Sequence, residues 1–361
     1  MSKKRSKRKR KVTDLDALEQ INLNAAGVDI GAEEIFVAVP KGRDAESVRS
    51  FPTFTVDLHR MADWLEMCGI ETVAMESTGV YWIPLYEILE ERGFDVNLVN
   101  ARHIKNVSGR KSDVLDCQWI QQLHTYGLLQ PSFRPPEQIC AIRSLVRHRD
   151  MLIRYRSAHI QHMQKALILM NIQLTNVLSD ITGMTGMKII RDIVAGKRDP
   201  EVLAGHRDRR CHKSRSEIAK SLEGNYKREH VFALKQALEL YDFYDRQLRA
   251  CDVELEALYD EFDPPDGSGT EPPARTTKRR KNQPYFDLAR SLYRLTGVDL
   301  TEVDGLDAMT VQTILSETGI DMSPWPTVKH FTSWLRLAPN NKVTGGKVKS
   351  RGTQPTQNRA S

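Results

Sequence analysis

The spacing of hydrophobic and polar positions changes character near residue 136. Before it, short apolar runs alternate with helix-spaced ones. Strands are expected at Ala25–Ile30, Ile35–Val39, about Val48–Thr55, Thr72–Met75 and Asp95–Val99, with a tight turn at Gly31–Glu34 between the first two. Helices are expected over Val56–Cys68, with Leu58, Met61, Trp64 and Leu65 on one face, then Tyr81–Arg92 and Ser112–Tyr126. Each is followed by a glycine (Gly69, Gly93, Gly127), the residue best suited to a helix stop. The order β-β-β-α-β-α-β-α, a three-strand meander followed by alternation, predicts an α/β RNase H-like domain over residues 21–135.

From 136 to 261 the pattern is helical. Val146, Ile153, Ile160 and Leu167 recur every seven residues, and Met163 and Met170 supply part of a second seam. Leu234, Ala237, Tyr241, Tyr244, Leu248, Cys251, Leu255 and Leu258 follow 3-4 spacing across Phe232–Asp260. These predict a helical coiled-coil region, an antiparallel arm or a dimerising one, with Tyr241 and Tyr244 in its core and not stacked on bases. Residues 262–284 hold five prolines and two glycines among charges and are expected to be a linker. A small, mainly α C-terminal domain is expected over 285–361. Within it, the turn Val303-Asp-Gly305 and a helix ending at Gly319 read as half of a helix-hairpin-helix offering N–H groups to phosphate, or as an ordinary αα-hairpin.

Charge narrows the choice of partner. The 361 residues carry 53 Lys and Arg against 47 Asp and Glu, a formal net charge of +6. The positive charge is clustered: in a tail over residues 1–20 expected to be disordered, in Arg143–Lys165, Arg207–Lys220 and Lys278–Lys281, and in the last twenty residues. Five such runs favour nucleic acid. On the helix from Ile142, Arg143, Arg147 and Arg154 line one side, and Arg149 and Arg156 another. The first three, with Lys342, Lys347, Lys349 and Arg351, are the candidate nucleic-acid contacts, reading backbone and shape. No apolar run is long enough to span a membrane and no signal peptide opens the chain, so a cytoplasmic protein is expected. Cys68, Cys117, Cys140, Cys211 and Cys251 form no C-x-x-C and are expected to be reduced thiols.

Four acids stand out. Asp29 sits inside an apolar strand in Gly27-Val-Asp-Ile-Gly31, a costly place for a carboxylate unless it faces a cleft or a cation. Glu76 ends the strand that runs into Ser77-Thr78-Gly79, and Asp113 and Asp116, three apart, share one helix face. In an RNase H-like sheet the first strand and the Glu76 strand are neighbours, and a late helix packs over their ends. Singly, Asp113 and Asp116 are explained as first-turn residues complementing the helix dipole, with Ser112 as N-cap. Together, four oxygen donors without nearby histidine or thiol favour Mg²⁺, or Mn²⁺, and two-metal phosphodiester chemistry.

The segments Gly27-Val-Asp-Ile-Gly31, Met75-Glu-Ser-Thr-Gly-Val-Tyr-Trp-Ile-Pro84, Asn106-Val-Ser-Gly-Arg-Lys-Ser-Asp-Val-Leu-Asp-Cys-Gln-Trp-Ile120 and Leu335-Arg-Leu-Ala-Pro339 with Gly345-Gly-Lys347 resemble the IS-one-ten family of DEDD insertion-sequence transposases. The likeness runs from about residue 24 to the C-terminus and is weakest in the linker. It implies a RuvC-like catalytic domain, a coiled-coil region and a C-terminal transposase domain. It also implies an oligomeric DNA recombinase, dimer or tetramer, guided by a structured bridge RNA that pairs with donor and target DNA. By motif match Asp29, Glu76, Asp113 and Asp116 take the family's four acidic positions. The family's nucleophilic serine, which precedes Gly-Gly-Lys, corresponds to Thr344. Threonine keeps the hydroxyl, but its methyl crowds an in-line approach, so a slow or inactive enzyme is expected; Ser350 is a displaced substitute. The family continues into further helices where this chain stops at Ser361, so the last domain is expected to be truncated.

Three alternatives compete. An actin-like ATPase or sugar kinase shares the sheet and an Asp-x-Gly turn but needs a second glycine-rich phosphate loop, which no later strand supplies. A Holliday-junction resolvase, a metal nuclease without a covalent step, accommodates the acids and leaves the Thr344 region unused. A catalytically impaired or truncated nucleic-acid-binding remnant accounts for Thr344 and the early stop.

Overall fold

The computed structural model describes residues 18–77, 79–100, 113–262, 280–339, 341–350, 352, 353, 356 and 358–361, without the side chains of residues 113–115, 342, 343 and 350. The basic tail over 1–17, Ser112, Arg351 and residues 263–279 of the expected linker lie outside that description. The chain divides into two compact units, Met1–Arg134 and Pro135–Ser361.

The first unit follows the expected order. Strands β1 (Ala25–Ile30), β2 (Glu34–Ala38) and β3 (Val48–Pro52) precede α1 (Thr55–Met67), β4 (Thr72–Glu76), α2 (Ile83–Glu91), β5 (Asp95–Val99) and α3 (Asp113–Thr125). They build one mixed sheet in the order β3-β2-β1-β4-β5. β2 runs antiparallel to β1 and β3, while β4 is parallel to both β1 and β5. This is the RNase H-like α/β fold. The central strand β1 is buried along nearly its whole length, which explains why it reads as a near-continuous apolar run. One sheet face, with Val28, Ile30, Val37, Val73 and Met75, packs on Leu58, Met61, Trp64 and Leu65 of α1 and Leu85 and Leu89 of α2. On the other face Ala74 and Val99 meet Ile120 of α3. Two boundaries differ from expectation for local reasons. α2 starts two residues late, because Pro84 favours the first helical turn and leaves Tyr81 and Trp82 in the preceding turn. β4 runs one residue past Met75, with Glu76 as its last residue at the strand's end, where the sequence places that acid.

The second unit is built on two 33-residue helices, α4 (Glu137–Leu169) and α9 (Arg228–Asp260). They are antiparallel: Arg149 meets Asp252, and seven residues further along α4 Arg156 meets Asp245, seven residues back along α9. Here the sequence misleads. Arg149 and Arg156, placed on a second side of the helix apart from its apolar seam, are buried and occupy the seam begun by Ile142 and continued by Met163 and Met170. Their burial is compatible with charge because each has an aspartate partner on α9. Tyr241 and Tyr244 do pack inward, against the clusters around Leu238 and Leu248.

Short helices α5 (Leu174–Val177), α6 (Met184–Val194), α7 (Pro200–Ala204) and α8 (Arg215–Ser221) connect the long pair. They close one end of it around Leu167, Ile172, Ile189, Ile190, Leu222 and Leu234. At the other end α10 (Leu288–Thr296) and α11 (Ala308–Thr318) pack on Ile142, Val146, Leu255 and Tyr259. The helical region and the last domain, separated on sequence, therefore share one unit. The end of the expected linker is tied down as well, since Lys281 pairs with Asp180 and Arg156 donates to Asn282.

The helix-hairpin-helix expectation resolves to an αα-hairpin of α10 and α11 with one 3-10 turn at Leu300–Glu302 between them. The Asp307 carboxylate already accepts from the Thr310 amide at 2.9 Å, so the α11 N-terminus is capped by an anion of its own. After α12 (Val328–Trp334) the chain forms a two-stranded hairpin, β6 (Lys342–Thr344) and β7 (Lys347–Ser350), which the mainly helical expectation missed. No helix among the described residues is long and apolar enough to cross a membrane.

Candidate active site

The carboxylates are positioned by the sheet and by the helix laid across it. β1 and β4 pair in parallel with Val28 opposite Met75, so the next residues on the two strands are Asp29 and Glu76. Side chains alternate between faces. Val28 and Met75 point into the core under α1 and α2, which leaves Asp29 and Glu76, both half-buried, on the face that α3 covers.

α3 crosses that face antiparallel to β1. At its C-terminal end the Thr125 carbonyl accepts from the amides of Ile21 and Asn22, just before β1 begins. One turn earlier Gln121 Nε2 donates to the Ala25 carbonyl. His124, buried and with its pKa lowered by that burial, shares a 2.8 Å hydrogen bond with Thr72 Oγ1 at the start of β4. The N-terminal end of α3 therefore lies toward the C-terminal ends of β1 and β4. Gly27 is level with the segment between Cys117 and Gln121. Asp29 is about 7 Å further along the strand at ~3.3 Å per residue. Asp116 and Asp113 are between about 4 and 9 Å further along the helix at ~1.5 Å per residue. The buried stripe Cys117, Ile120, Leu123 and His124 faces the sheet, and Asp116 and Asp113 stand at its N-terminal extension.

Cys117 gives an electrostatic measure of this convergence. Its thiol is pushed up to about 12, first by burial, with the negative charges of Asp29 and Asp116 adding to the shift. Two of the acids thus act on one buried atom. Among the described residues no three acid, histidine or cysteine side chains are gathered closely enough to form a closed metal cluster. The side chain of Asp113, the fourth acid, lies outside the description. The donors available at this end of the sheet are carboxylate oxygens, which suit a hard divalent ion.

Gly27 was missed as a functional position, although a glycine in a buried apolar strand signals close backbone approach. A Cβ there would lie 2.2 Å from the Gln121 amide nitrogen and 2.4 Å from the Cys117 carbonyl oxygen. Both are helix backbone and cannot rotate away. Gly27→Ala is expected to cost about 3 kcal/mol or more and to lift α3, with Asp113 and Asp116, off the sheet. Chemical denaturation checks this; an unchanged midpoint would mean that the helix does not sit on this strand.

The second unit carries the other expected site residues. Thr344 is the last residue of β6 and pairs with Lys347, the first of β7, across Gly345 and Gly346. Both glycines have positive φ, 58° and 76°, as the tightest two-residue hairpin turns require. Thr344, Lys347 and Lys349 are exposed. Lys342 pairs with Ser350 through its backbone. The expected cationic side of α4 is thinner than its sequence suggests. Arg147 holds the buried Glu317 along one edge of its guanidinium, Nη2 donating at 2.7 Å and Nε at 3.1 Å, and Arg143 donates to Cys140 Sγ. Arg154 is exposed.

Two family models match the chain. One, described as a transposase of the DEDD IS110 type, matches residues 26–172 and so includes all four acids. The second, described as Transposase IS116/IS110/IS902 family, matches residues 299–360, including Thr344 and the hairpin. No curated protein matches the chain. The two models name the same family, cover more than half of the sequence between them, and fall on the RNase H-like sheet and on the C-terminal hairpin respectively. The chain belongs to the IS110 family of transposases, which act on DNA.

Proposed function

We propose that this transposase cuts and rejoins DNA strands using a divalent-metal site on Asp29, Glu76, Asp113 and Asp116 and the hydroxyl of Thr344 as nucleophile. The observation that carries the metal site is the antiparallel seating of α3 on β1 and β4, which brings the acids of strand and helix toward one end of the sheet. Mg²⁺ or Mn²⁺ bound there would stabilise charge on phosphodiester oxygens. The carboxylates would hold the ion in place, and the buried Cys117 with the apolar packing around Ala74, Val99 and Ile120 keeps the floor of the site dry.

Thr344 Oγ1 forms a bond to phosphorus while one P–O bond to the DNA strand breaks. The hydroxyl gives up its proton, and the departing deoxyribose oxygen takes one up. Reversal on a second strand end restores a phosphodiester, so the exchange needs no energy source. An exposed turn beside Gly345 and Gly346, where a Cβ would meet nothing within 4 Å, supports this assignment because a duplex can reach it. The motif resemblance further supports a RuvC-like mechanism, a structured RNA that selects donor and target by base pairing, and action as a homo-oligomer.

The test is a strand-exchange and adduct assay with Mg²⁺, a duplex carrying the element's joined ends, and RNA transcribed from its flanks. Wild type is run beside Thr344→Ser and Thr344→Val. A covalent protein–DNA adduct that rises with serine and vanishes with valine is the expected result. Nucleic-acid binding without adduct in wild type and Thr344→Ser would replace the proposal with a binding remnant, and cleavage without adduct with a metal nuclease.

A further inference from the structure

We propose that Lys347 contacts the scissile phosphate and neutralises it while Thr344 attacks, an inference that rests on the assignment of Thr344 as nucleophile. The hairpin dictates the pairing. Thr344 and Lys347 flank a two-residue turn and are direct cross-strand partners. Direct partners project from the same face of a ladder, with Cβ atoms about 5 Å apart. The two glycines hold this register, since both occupy left-handed backbone that a side chain would disfavour. The neighbouring Val348 alternates to the opposite face.

The chemistry needs a cation at this place. A phosphodiester repels an incoming oxygen, and its two non-bridging oxygens gain charge as the fifth bond forms. A lysine on a flexible four-carbon stem acts as a compact point charge, and this one starts from the position opposite the attacking hydroxyl. The hairpin tip is exposed, with Thr344, Gly345, Gly346 and Lys347 all open, so among the described residues no side chain blocks the approach of a phosphate to the pair. Other cations on the hairpin lie further along the strands: Lys349 is two residues beyond Lys347, roughly 7 Å at ~3.3 Å per residue.

The experiment uses the full chain with the same duplex and RNA, at saturating protein, so that chemistry and not binding is read. Lys347→Met is expected to lower the rate of adduct formation by about 10²-fold or more, the range for removing one charge-stabilising donor, with Lys347→Arg retaining most of it. A duplex whose scissile phosphate is a methylphosphonate, which lacks the charge that Lys347 answers, should restore Lys347→Met relative to wild type on that substrate. A merely structural lysine would show no such rescue. The inference is overturned if Lys347→Met matches wild type at saturation, or if the neutral phosphonate restores nothing. Thermal unfolding of Lys347→Met verifies that the fold is kept. Loss of adduct in Thr344→Val with full activity in Lys347→Met refutes the lysine role alone. Adduct persisting in Thr344→Val, or absent from both wild type and Thr344→Ser, refutes the nucleophile itself and the lysine role with it.

Discussion

Asp29→Ala is expected to abolish strand cutting, by roughly 10³-fold or more, while leaving the protein folded and able to bind DNA. The magnitude follows from the several kcal/mol of charge stabilisation that a bound divalent ion contributes to phosphodiester chemistry and the tenfold change in rate per ~1.4 kcal/mol. The fold is kept because Asp29 is half-buried at the sheet's end, beyond the packed stretch Ala25–Val28. Removing its negative charge also relieves one of the influences that raise the Cys117 thiol. Cleavage assays across Mg²⁺ and Mn²⁺ concentrations decide the matter: wild-type rates in Asp29→Ala at any ion concentration would remove Asp29 from the chemistry.

A second large effect is expected in the long helix pair. Arg149 and Asp252 are both almost wholly excluded from solvent and hydrogen-bond to each other at 2.5 Å. Asp252 also accepts from the Tyr285 amide at 3.1 Å, tying the end of the linker to the pair. Asp252→Leu leaves the guanidinium buried without its counter-charge, and about 3–5 kcal/mol of stability should be lost. The double variant Arg149→Met, Asp252→Leu replaces both charges with apolar bulk and should recover most of that loss, short of about 1 kcal/mol for the Tyr285 hydrogen bond. Denaturation midpoints of the two single variants and the double variant form the cycle. A double variant as unstable as the two singles combined would show that the pair is not a compensated unit.

The sheet was legible because β1, β2 and β4 are marked by largely apolar runs with a breaker soon after each, and because Gly69, Gly93 and Gly127 end their helices with positive φ. Asp29 was legible for the opposite reason, as a charge where apolar residues belong. What escaped was whatever depends on a partner distant in sequence. Arg149 and Arg156 look like surface residues until Asp252 and Asp245, about a hundred positions away, are seen to lie opposite them. Arg147 likewise reads as a nucleic-acid contact, and only folding brings Glu317 to it. The β6–β7 hairpin was missed because its strands are only three and four residues long, too short for alternation to register. Its Gly345-Gly346 pair was the one local signal, a hairpin-turn dipeptide.

The two arginine–aspartate pairs one heptad apart also set a length. Helices of 33 residues extend about 50 Å at ~1.5 Å per residue, comparable to some fifteen base pairs of duplex at ~3.4 Å each. A slip of α4 against α9 by one helical turn would strand both arginines among apolar side chains, so the pair cannot shorten or lengthen by sliding. It behaves as a ruler with a locked scale: whatever docks on the bundle at one end is held a fixed one and a half turns of DNA from whatever docks on α10 and α11 at the other.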